Sequence, residues 1–502
     1  MSDQGGHLGV GDRLKTGPAP ELIASAFALE AGDGPLLYHG MSLADLAHTV
    51  MLIEVGVIPQ DKGAKLLAAL LDMHAIPGHE FPFDPSHGDA YTNREYVLRQ
   101  QAPAVAGWLQ AGRARREAAT IGYLLAVRER LLALTGGLLD VMGVLLDLAG
   151  ANLRTLMPDY TYLQTAHPTT LAHYLLTFVQ PMTRDLARLR GAFERTNLSP
   201  AGSGSTNGSR LPLDRACLAE LLGFDGLALH TRDAMWQPDG PIEVMAAAVA
   251  LLVNADRLAE DLQIWATGEF DLIELSDRHS RVSVIMPQKK NPYSLAFVRG
   301  VARDMIGRLA GAAAVGATPS GQVDNRIFAY GGVPRALDQT VQAVNLLAGT
   351  IAGLTVNHDL MARRAASGYS GATDLAEAIM LETRLDPGAA HRIVGRAVRA
   401  ALASNAALTP EILDAAAQAV IGRPLGLLSQ TIAEAMDPEA IIHTRAGPGG
   451  AAPQSVQAML AEYRAVLAAA EAWRAETKNR LATAEARLLE RARGLAGEQT
   501  QA

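Results

Sequence analysis

The chain has 502 residues, a formal net charge of −8 and 49% hydrophobic residues, which is enough for a large core and more than one domain. The mild negative charge gives no reason to expect a nucleic-acid partner, and Cys217 is the only cysteine, so intrachain disulfides and cysteine-rich metal sites are excluded. Histidines are dispersed, so we predict no metal and no cofactor. The sequence shows no signal peptide and no membrane span, and we expect a soluble, cytoplasmic protein.

Apolar residues recur at three- and four-residue spacing along most of the chain, which predicts helices, while strand signals are weak nearly everywhere. Long helices joined by loops at their ends indicate an elongated helical bundle. The predicted helices span residues 41–57, 62–73, 95–110, 113–157, 171–193, 242–267, 295–314 and 456–493, and the predicted loops are 78–89, 158–168 and 197–209. We divide the chain into a disordered tail (1–20), an N-terminal helical domain (21–112), a central long-helix bundle domain (113–364) and a C-terminal helical domain (365–502).

One polar stretch, residues 280–294, is the most informative part of the sequence. It reads S-R-V-S-V-I-M-P-Q-K-K-N-P-Y-S, with prolines on either side of Lys289, Lys290 and Asn291. Proline fixes φ and has no amide hydrogen, so the stretch is predicted to be a loop, with a helix beginning after Pro292. A hydroxyl, ammonium groups and a carboxamide on a loop between two helices suit a small anion, and an ordinary solvated connector is the alternative.

The residues from Ser283 to Pro292 resemble the signature loop Gly-Ser-Ser-x-Met-Pro-Gln-Lys-Lys-Asn-Pro of the argininosuccinate lyase branch of the fumarase/aspartase superfamily. Two positions depart from that pattern, since Val282 replaces the glycine and Val284 the second serine. The resemblance covers roughly residues 37–481. It implies an all-α fold of three helical domains with a long central helix bundle, assembled as a homotetramer whose active sites are built from three subunits.

The reaction implied by the resemblance is β-elimination from a succinyl compound, which releases fumarate. A base removes a proton beside a carboxylate, and the resulting aci-carboxylate intermediate requires preorganised donors and cations. Ser283 matches the family's catalytic base. Lys289 and Asn291 are expected to bind the substrate carboxylates.

A second region, at the start of the long helix, resembles the family motif Gly-Arg-Ser-Arg-Asn-Asp. Arg115 falls on the arginine that binds a substrate carboxylate, and a helix N-terminus favours anions. Ala114 replaces the motif's serine and Arg116 its asparagine, so two hydrogen-bonding groups are lost and one positive charge is added. Arg115 and Arg116 are candidate substrate-binding residues, and basic residues on a solvated helix face are the alternative.

A third region, residues 160–168, resembles the family's Tyr-Thr-His-Leu-Gln-x-Ala-Gln-Pro. Thr161 and Gln164 match polar residues of that motif and are candidate substrate-binding groups. Tyr162 replaces the catalytic histidine, and Ala296 replaces the glutamate that pairs with it in the family. Tyr162 can donate a proton, although the reference pKa of tyrosine lies near 10. His167 stands where the family has glutamine, as a candidate substrate contact or, by our preferred interpretation, a buried hydrogen-bonded histidine.

Two further departures concern the leaving-group side. Tyr91 replaces the histidine of an upstream Asp-x-His motif, and the family tetrad Tyr-Asn-Lys-Asp is absent from residues 319–326. Proton abstraction is thus retained while the contacts to the departing group have changed. The prediction is a carbon–nitrogen lyase that eliminates a nitrogen-linked group from a substituted aspartate or succinate to give fumarate, or catalyses the reverse addition. A true argininosuccinate lyase and a non-catalytic structural descendant are the alternatives.

Overall fold

The computed structural model describes residues 7–10, 13–235, 238–319 and 326–497. Within these ranges helices dominate, as the sequence predicts. The α-helices are α1 (Pro20–Leu22), α2 (Ala28–Glu54), α3 (Gln60–His74), α4 (Ala90–Gln101), α5 (Arg115–Ala151), α6 (Leu171–Thr196), α7 (Arg215–Leu221), α8 (Thr231–Met235), α9 (Asp239–Trp265), α10 (Tyr293–Gly316), α11 (Ile327–Ala352), α12 (His358–Ala365), α13 (Ala372–Thr383), α14 (Pro387–Ser404), α15 (Pro410–Ile421), α16 (Ser429–Met436), α17 (Pro438–Thr444) and α18 (Pro453–Ala496).

The strands are short and form four separate two-stranded sheets, three antiparallel and one, β3 with β4, parallel. They are β1 (Leu156–Thr161), β2 (Gln164–Thr170), β3 (Leu198–Ser199), β4 (Gly226–Leu227), β5 (Ile273–Glu274), β6 (Arg281–Val282), β7 (Lys290–Asn291) and β8 (Thr355–Val356). The pairs are β1–β2, β3–β4, β5–β8 and β6–β7. A π-helical turn, Ile23–Phe27, joins α1 to α2.

The central helix α5 organises the bundle. Its 37 residues give a length of about 55 Å at 1.5 Å per residue. It packs against α2, α6, α11 and α18, while α9 packs against α6, α10 and α11. The sequence-based prediction of an all-α protein with a long helix bundle is therefore confirmed.

Helix α2 approaches the central helix closely because both carry glycine at the crossing. A Cβ atom added to Gly40 would lie 2.8 Å from the Cα atom of Gly122, and one added to Gly122 would lie 2.8 Å from the Met41 side chain. No larger side chain fits there without moving a backbone. This contact fixes α2, and the residues it carries, against the first third of α5.

Two hydrophobic clusters form the interior of the described chain. The larger cluster is continuous through α2, α3, α5, α6, α9, α10, α11 and part of α18. The smaller cluster lies in the C-terminal region, built on Leu375, Ile393 and Leu413. The domain boundaries proposed from the sequence stay a prediction. The disordered tail also stays a prediction, because residues 1–6 and 11–12 lie outside the described residues. Within the tail, the described Leu8 lies beside Gly88.

Several segments differ from their sequence-based assignment. The predicted helix 95–110 is wrong as one helix, because Pro103 cannot continue it: α4 ends at Gln101, and a separate 3₁₀ turn covers Ala106–Gln110. The predicted helix 113–157 ends at Ala151, and its last residues belong to β1.

The predicted loop 158–168 is wrong: it is a β-hairpin in which Pro158 pairs with Pro168. Proline is tolerated in an isolated two-stranded sheet because its missing N–H falls on an edge. The first helix begins well before residue 41, since α2 continues through Pro35. The missed signal is explained by Gly34 and Pro35, which disfavour a helix by sequence. At Gly34 the Phe83 ring leaves no room for a side chain, since an added Cβ atom would lie 2.6 Å from it.

Two helical spans are long and apolar enough to cross a membrane by length and composition, namely Pro20–Glu54 and Arg115–Ala151. Within their most apolar windows, 83% and 67% of residues are buried inside the fold. Such burial is typical of the core helices of a large protein.

Candidate active site

The predicted site residues lie at opposite ends of the bundle. Arg115 and Arg116 lie at the start of α5, which we call the arginine end. The β1–β2 hairpin follows the last residue of α5, about 55 Å away. Helix α9 runs antiparallel to α6 and therefore ends near the hairpin, and α10 returns in the opposite direction. The loop between β6 and β7, which lies between α9 and α10 in the chain, is therefore near the hairpin. We call this region the hairpin end.

The signature loop is a tight turn closed by a two-stranded ladder. Strand β6 pairs with β7, and the Ser283 amide donates to the Lys289 carbonyl at 3.3 Å. The Ser283 hydroxyl oxygen accepts from the Met286 amide at 3.2 Å. An amide donor directed at this oxygen stabilises negative charge there, which favours its deprotonated form. The predicted loop thus has short strands at its base, and the predicted helix after Pro292 is confirmed as α10.

The three polar residues after Pro287 have different surroundings. Lys290 is fixed by ion pairs with Glu274 and Asp277, both at 2.8 Å. The Asn291 carboxamide donates to the Arg281 carbonyl at 2.8 Å, which secures the base of the turn. Among the described residues Lys289 forms no ion pair, so its charge is available to an anion at the loop.

The hairpin presents its tip to solvent. Tyr162 and Leu163 form a two-residue turn in which both have positive φ, 54° and 59°. Such turns match the twist of paired strands but are strained for residues with a Cβ atom. Tyr162 is 99% exposed in the single chain, while Thr161 pairs with Gln164 at the base of the turn.

His167 is exposed on β2 in the single chain, so any burial of this side chain stays a prediction for an assembly. The strand alternation explains its exposure in the single chain. Thr165 and His167 share one face of β2 and are exposed, whereas the strand becomes buried only from Pro168 onward, where it enters α6.

The arginine end combines positive charge with an uncapped helix start. Arg115 forms a 3.1 Å ion pair with Asp89, and its side chain remains 42% exposed. Arg116 is directed inward to Glu30, at 2.6 Å. The N-cap residue of α5 is Ala114, which makes no side-chain hydrogen bond to the helix. The exposed guanidinium and the helix N-terminus without a side-chain cap together favour an anion such as a carboxylate.

A buried charge network, which sequence reasoning missed, supports the arginine end. Asp45 accepts from Arg94 at 2.8 Å and from Arg113 at 2.5 Å. Arg113 also donates to the Tyr91 hydroxyl. Burial raises the pKa of Tyr91 well above its usual value, so Tyr91 stays neutral there. The tyrosine that replaces a histidine of the family motif therefore has a structural role as an acceptor for Arg113.

Glu117 connects the arginine end to the predicted loop 197–209. Its two carboxylate oxygens accept from the amides of Gly202, at 2.8 Å, and Gly204, at 2.6 Å. Both glycines have positive φ, which gives the loop its tight course. Burial raises the pKa of Glu117 to about 7, although the Gly202 amide, Arg113 and the Gly204 amide oppose the shift. This segment, near Ser209, also packs against Gly112.

Part of the leaving-group region cannot be compared with the prediction, because residues 320–325 of the changed tetrad lie outside the described residues. Arg326, which follows them, is buried. Its guanidinium donates to the Met235 carbonyl at 2.7 Å and to Thr120 at 3.3 Å. These contacts place the end of the segment at the arginine end.

Comparison with known proteins supports the class suggested by these features. The model of the lyase family matches residues 46–307, more than half of the chain. The argininosuccinate lyase of Methanoculleus marisnigri is 37% identical over 459 residues, which cover 90% of this chain and 92% of that protein. The argininosuccinate lyase of Methanothrix thermoacetophila is 33% identical over 453 residues, 89% of this chain and 91% of the relative.

Solved structures agree. The crystal structure of EDDS lyase in complex with formate superimposes with a TM-score of 0.86 at 28% identity, covering 97% of this chain and 98% of that one. Fumarate lyase from Mesorhizobium sp. BNC1 shares the fold, with a TM-score of 0.71 at 19% identity over 89% of this chain and 99% of that one. The chain belongs to the lyase family. It is a carbon–nitrogen lyase of the argininosuccinate lyase branch of the fumarase/aspartase superfamily.

Proposed function

We propose that this lyase eliminates a nitrogen-linked group from a substituted aspartate or succinate, giving fumarate, or catalyses the reverse addition. The observation that carries the proposal is the signature turn. It holds the Ser283 hydroxyl against the Met286 amide and leaves the Lys289 ammonium without an ion pair among the described residues. A base beside a free cation is what proton abstraction next to a carboxylate requires.

In the proposed mechanism Ser283 removes the proton, and Lys289 with Asn291 stabilises the doubly charged aci-carboxylate. Asn291 fixes the base of the turn through the Arg281 carbonyl, and its side-chain oxygen remains an acceptor. Thr161, Gln164 and His167 line the hairpin that carries Tyr162. Tyr162 protonates the departing nitrogen, or the leaving group departs as a stable anion. Ala296 stands at the position of the family's paired glutamate and offers no acid.

The proposed site requires more than one subunit. Arg115 lies about 55 Å along α5 from the hairpin, so one succinyl group cannot contact both within one chain. Val284 and Ile285 of the signature turn are 98% and 84% exposed in the single chain. Apolar side chains exposed at this level mark a surface that an assembly covers. We infer a soluble, cytoplasmic homotetramer in which Arg115 and Arg116 of one subunit face the turn and hairpin of others.

The test is release of fumarate, followed by ultraviolet absorbance, from a panel of argininosuccinate, aspartate, EDDS, other N-substituted aspartates and nitrosuccinate. We expect release from an N-substituted aspartate or nitrosuccinate, abolished by Ser283→Ala. Ser280→Ala is the matched control, because the Ser280 hydroxyl donates to the Ser276 carbonyl within the same segment. No release from any compound by the folded enzyme, and no fumarate consumption with amines or nitrite, would overturn the proposal.

A true argininosuccinate lyase is the second candidate, favoured by relatives of that name at 31–37% identity. Efficient cleavage of argininosuccinate, in preference to the other compounds of the panel, would establish it.

The Tyr162→Phe variant tests whether Tyr162 protonates the departing nitrogen or the leaving group departs as a stable anion. Loss of a general acid lowers kcat by about 10²-fold or more, whereas unchanged activity excludes Tyr162 as the acid.

A further inference from the structure

Two histidines and a glutamate from three helices converge away from the proposed active site. His39 lies on α2, His74 is the last residue of α3, and Glu485 lies on α18. The His39 Nε2 atom is 3.3 Å from the Glu485 carboxylate. One ligand atom from each of the three residues can be chosen so that all lie within 4.8 Å of one another.

The second histidine is oriented by a neighbouring hydroxyl. His74 Nδ1 lies 3.0 Å from the Ser42 hydroxyl oxygen, which leaves Nε2 as the nitrogen for a ligand. Ser42 is three residues after His39 on the same helix, so the two groups share one face of α2. A histidine with one nitrogen hydrogen-bonded and the other free is typical of metal ligation, because the hydrogen bond fixes the tautomer.

The residue types of the cluster also suit a cation. A carboxylate and a neutral imidazole nitrogen are the forms that bind metals, so binding would replace the His39–Glu485 hydrogen bond and release its proton.

We propose that His39, His74 and Glu485 form a binding site for one divalent transition-metal ion of the Zn²⁺ type. Tetrahedral zinc with bonds of about 2.0–2.1 Å places its ligand atoms about 3.4 Å apart. The His39–Glu485 distance already meets this value, and a shift of about 1 Å brings in His74. Imidazole and carboxylate ligands suit zinc, cobalt and nickel, and the fourth position is left to water.

The location of the site makes its role structural. The Glu485 ligand is 446 positions from His39 along the chain, so the metal would bind α18 to the N-terminal helices. Glu485 lines a cavity together with Glu129 of α5. Glu129 is 14 residues after Arg115, about 20 Å along α5, so the site lies apart from the arginine end. The sequence analysis predicted no metal, because the three residues come from three different helices, without a local spacing motif.

The test uses the full-length protein after removal of metals with a chelator. Added Co²⁺ is expected to give the visible absorption of a low-symmetry site at one ion per chain, and Zn²⁺ to raise the melting midpoint. His39→Ala, His74→Ala and Glu485→Gln should each abolish the cobalt spectrum. Ser42→Ala should weaken binding by about 10- to 100-fold, as expected when a hydrogen-bond partner of a ligand is lost.

His79→Ala is the matched control, since His79 is an exposed histidine whose ion pair is with the neighbouring Glu80. It should retain the wild-type spectrum and midpoint shift. The absence of a Co²⁺ spectrum in the wild-type protein would overturn the proposal, even if a variant fails to fold. Equal binding by the His74→Ala variant would also overturn it. The fumarate assay of the metal-free enzyme is a separate measurement. If fumarate still forms, the proposed lyase function holds even when the metal-site proposal fails.

Discussion

The two ends of the central helix α5 differ in how their charged and polar side chains are paired. At the arginine end, Arg113 and Arg116 are neutralised by buried carboxylates, and Glu117 accepts hydrogen bonds with both oxygens. At the hairpin end, Tyr162 is exposed on a strained turn and Lys289 forms no ion pair among the described residues. At the arginine end a buried charge network surrounds one exposed guanidinium, that of Arg115. At the hairpin end the exposed Tyr162 and Lys289 have no such buried network among the described residues. Folding interactions therefore position the proposed substrate-binding Arg115 at one end of α5, whereas the groups at the other end depend on the turn and hairpin alone.

The largest expected effect tests whether the two ends meet across subunits. Arg115→Ala and Ser283→Ala should each lower kcat by about 10²-fold or more, because each removes a group that contacts the reacting succinyl unit. Co-expression of the two variants with different tags, followed by purification through both tags, should restore about a quarter of wild-type activity if subunits pair at random in a symmetric assembly.

Each variant purified alone is the control for this experiment. Mixed oligomers that contain both chains and recover no activity would show that different subunits do not supply Arg115 and Ser283 to one site. The result would leave the assignment of Ser283 intact, since the single variant tests that residue separately.

The next effect concerns stability at the arginine end. Asp45→Asn should lower the free energy of unfolding by about 3–5 kcal/mol, because Arg94 and Arg113 then lose their shared buried counter-ion. Asp147→Asn is the control: its ion pair with Arg464 is exposed, with 74% of the Asp147 side chain accessible, and its loss should cost less than about 1 kcal/mol. Equal shifts in denaturant midpoint for the two variants would contradict this account of the arginine end.

The Glu117 carboxylate should make stability depend on pH. The folded pKa of Glu117, about 7, lies above the usual glutamate value of 4.5, so the folded state binds the proton more tightly. Stability from this group is complete below pH 4.5 and is lost as the pH rises through 7. Relative to Glu117→Gln, the wild type should lose roughly 2–3 kcal/mol between these values. Melting midpoints compared from pH 4.5 to 8 measure the difference, and a constant offset would contradict the burial of an ionisable group.

The smallest effect is expected at the hairpin tip. Leu163→Gly should stabilise the protein by about 0.5–1 kcal/mol, because glycine adopts a positive φ without the strain of a Cβ atom. Leu229→Gly is the control, since Leu229 is also an exposed leucine but does not have a positive φ. It should leave the melting midpoint unchanged or lower it, and a matching rise in both variants would contradict the strained turn.

The sequence predicted the bundle well because long helices repeat their apolar residues many times. The signature turn was found from Ser283 and Pro292, where chemistry and backbone constraint are local. The hairpin was missed because prolines stand in both of its strands. The partners of Arg113 and Glu117 were missed because Asp45 and Gly202 are distant in sequence and carry no pattern that links them.

The open start of α5 has a consequence for how ligand binding is observed. Because Ala114 leaves the first amides of α5 uncapped, an anion that binds beside Arg115 would complete the helix as a cap does. The first turn should then fray less, and its amide protons should exchange more slowly with solvent deuterium when fumarate is bound. Hydrogen exchange in the first turn of α5 would thus report whether an anion is bound, even when no reaction takes place.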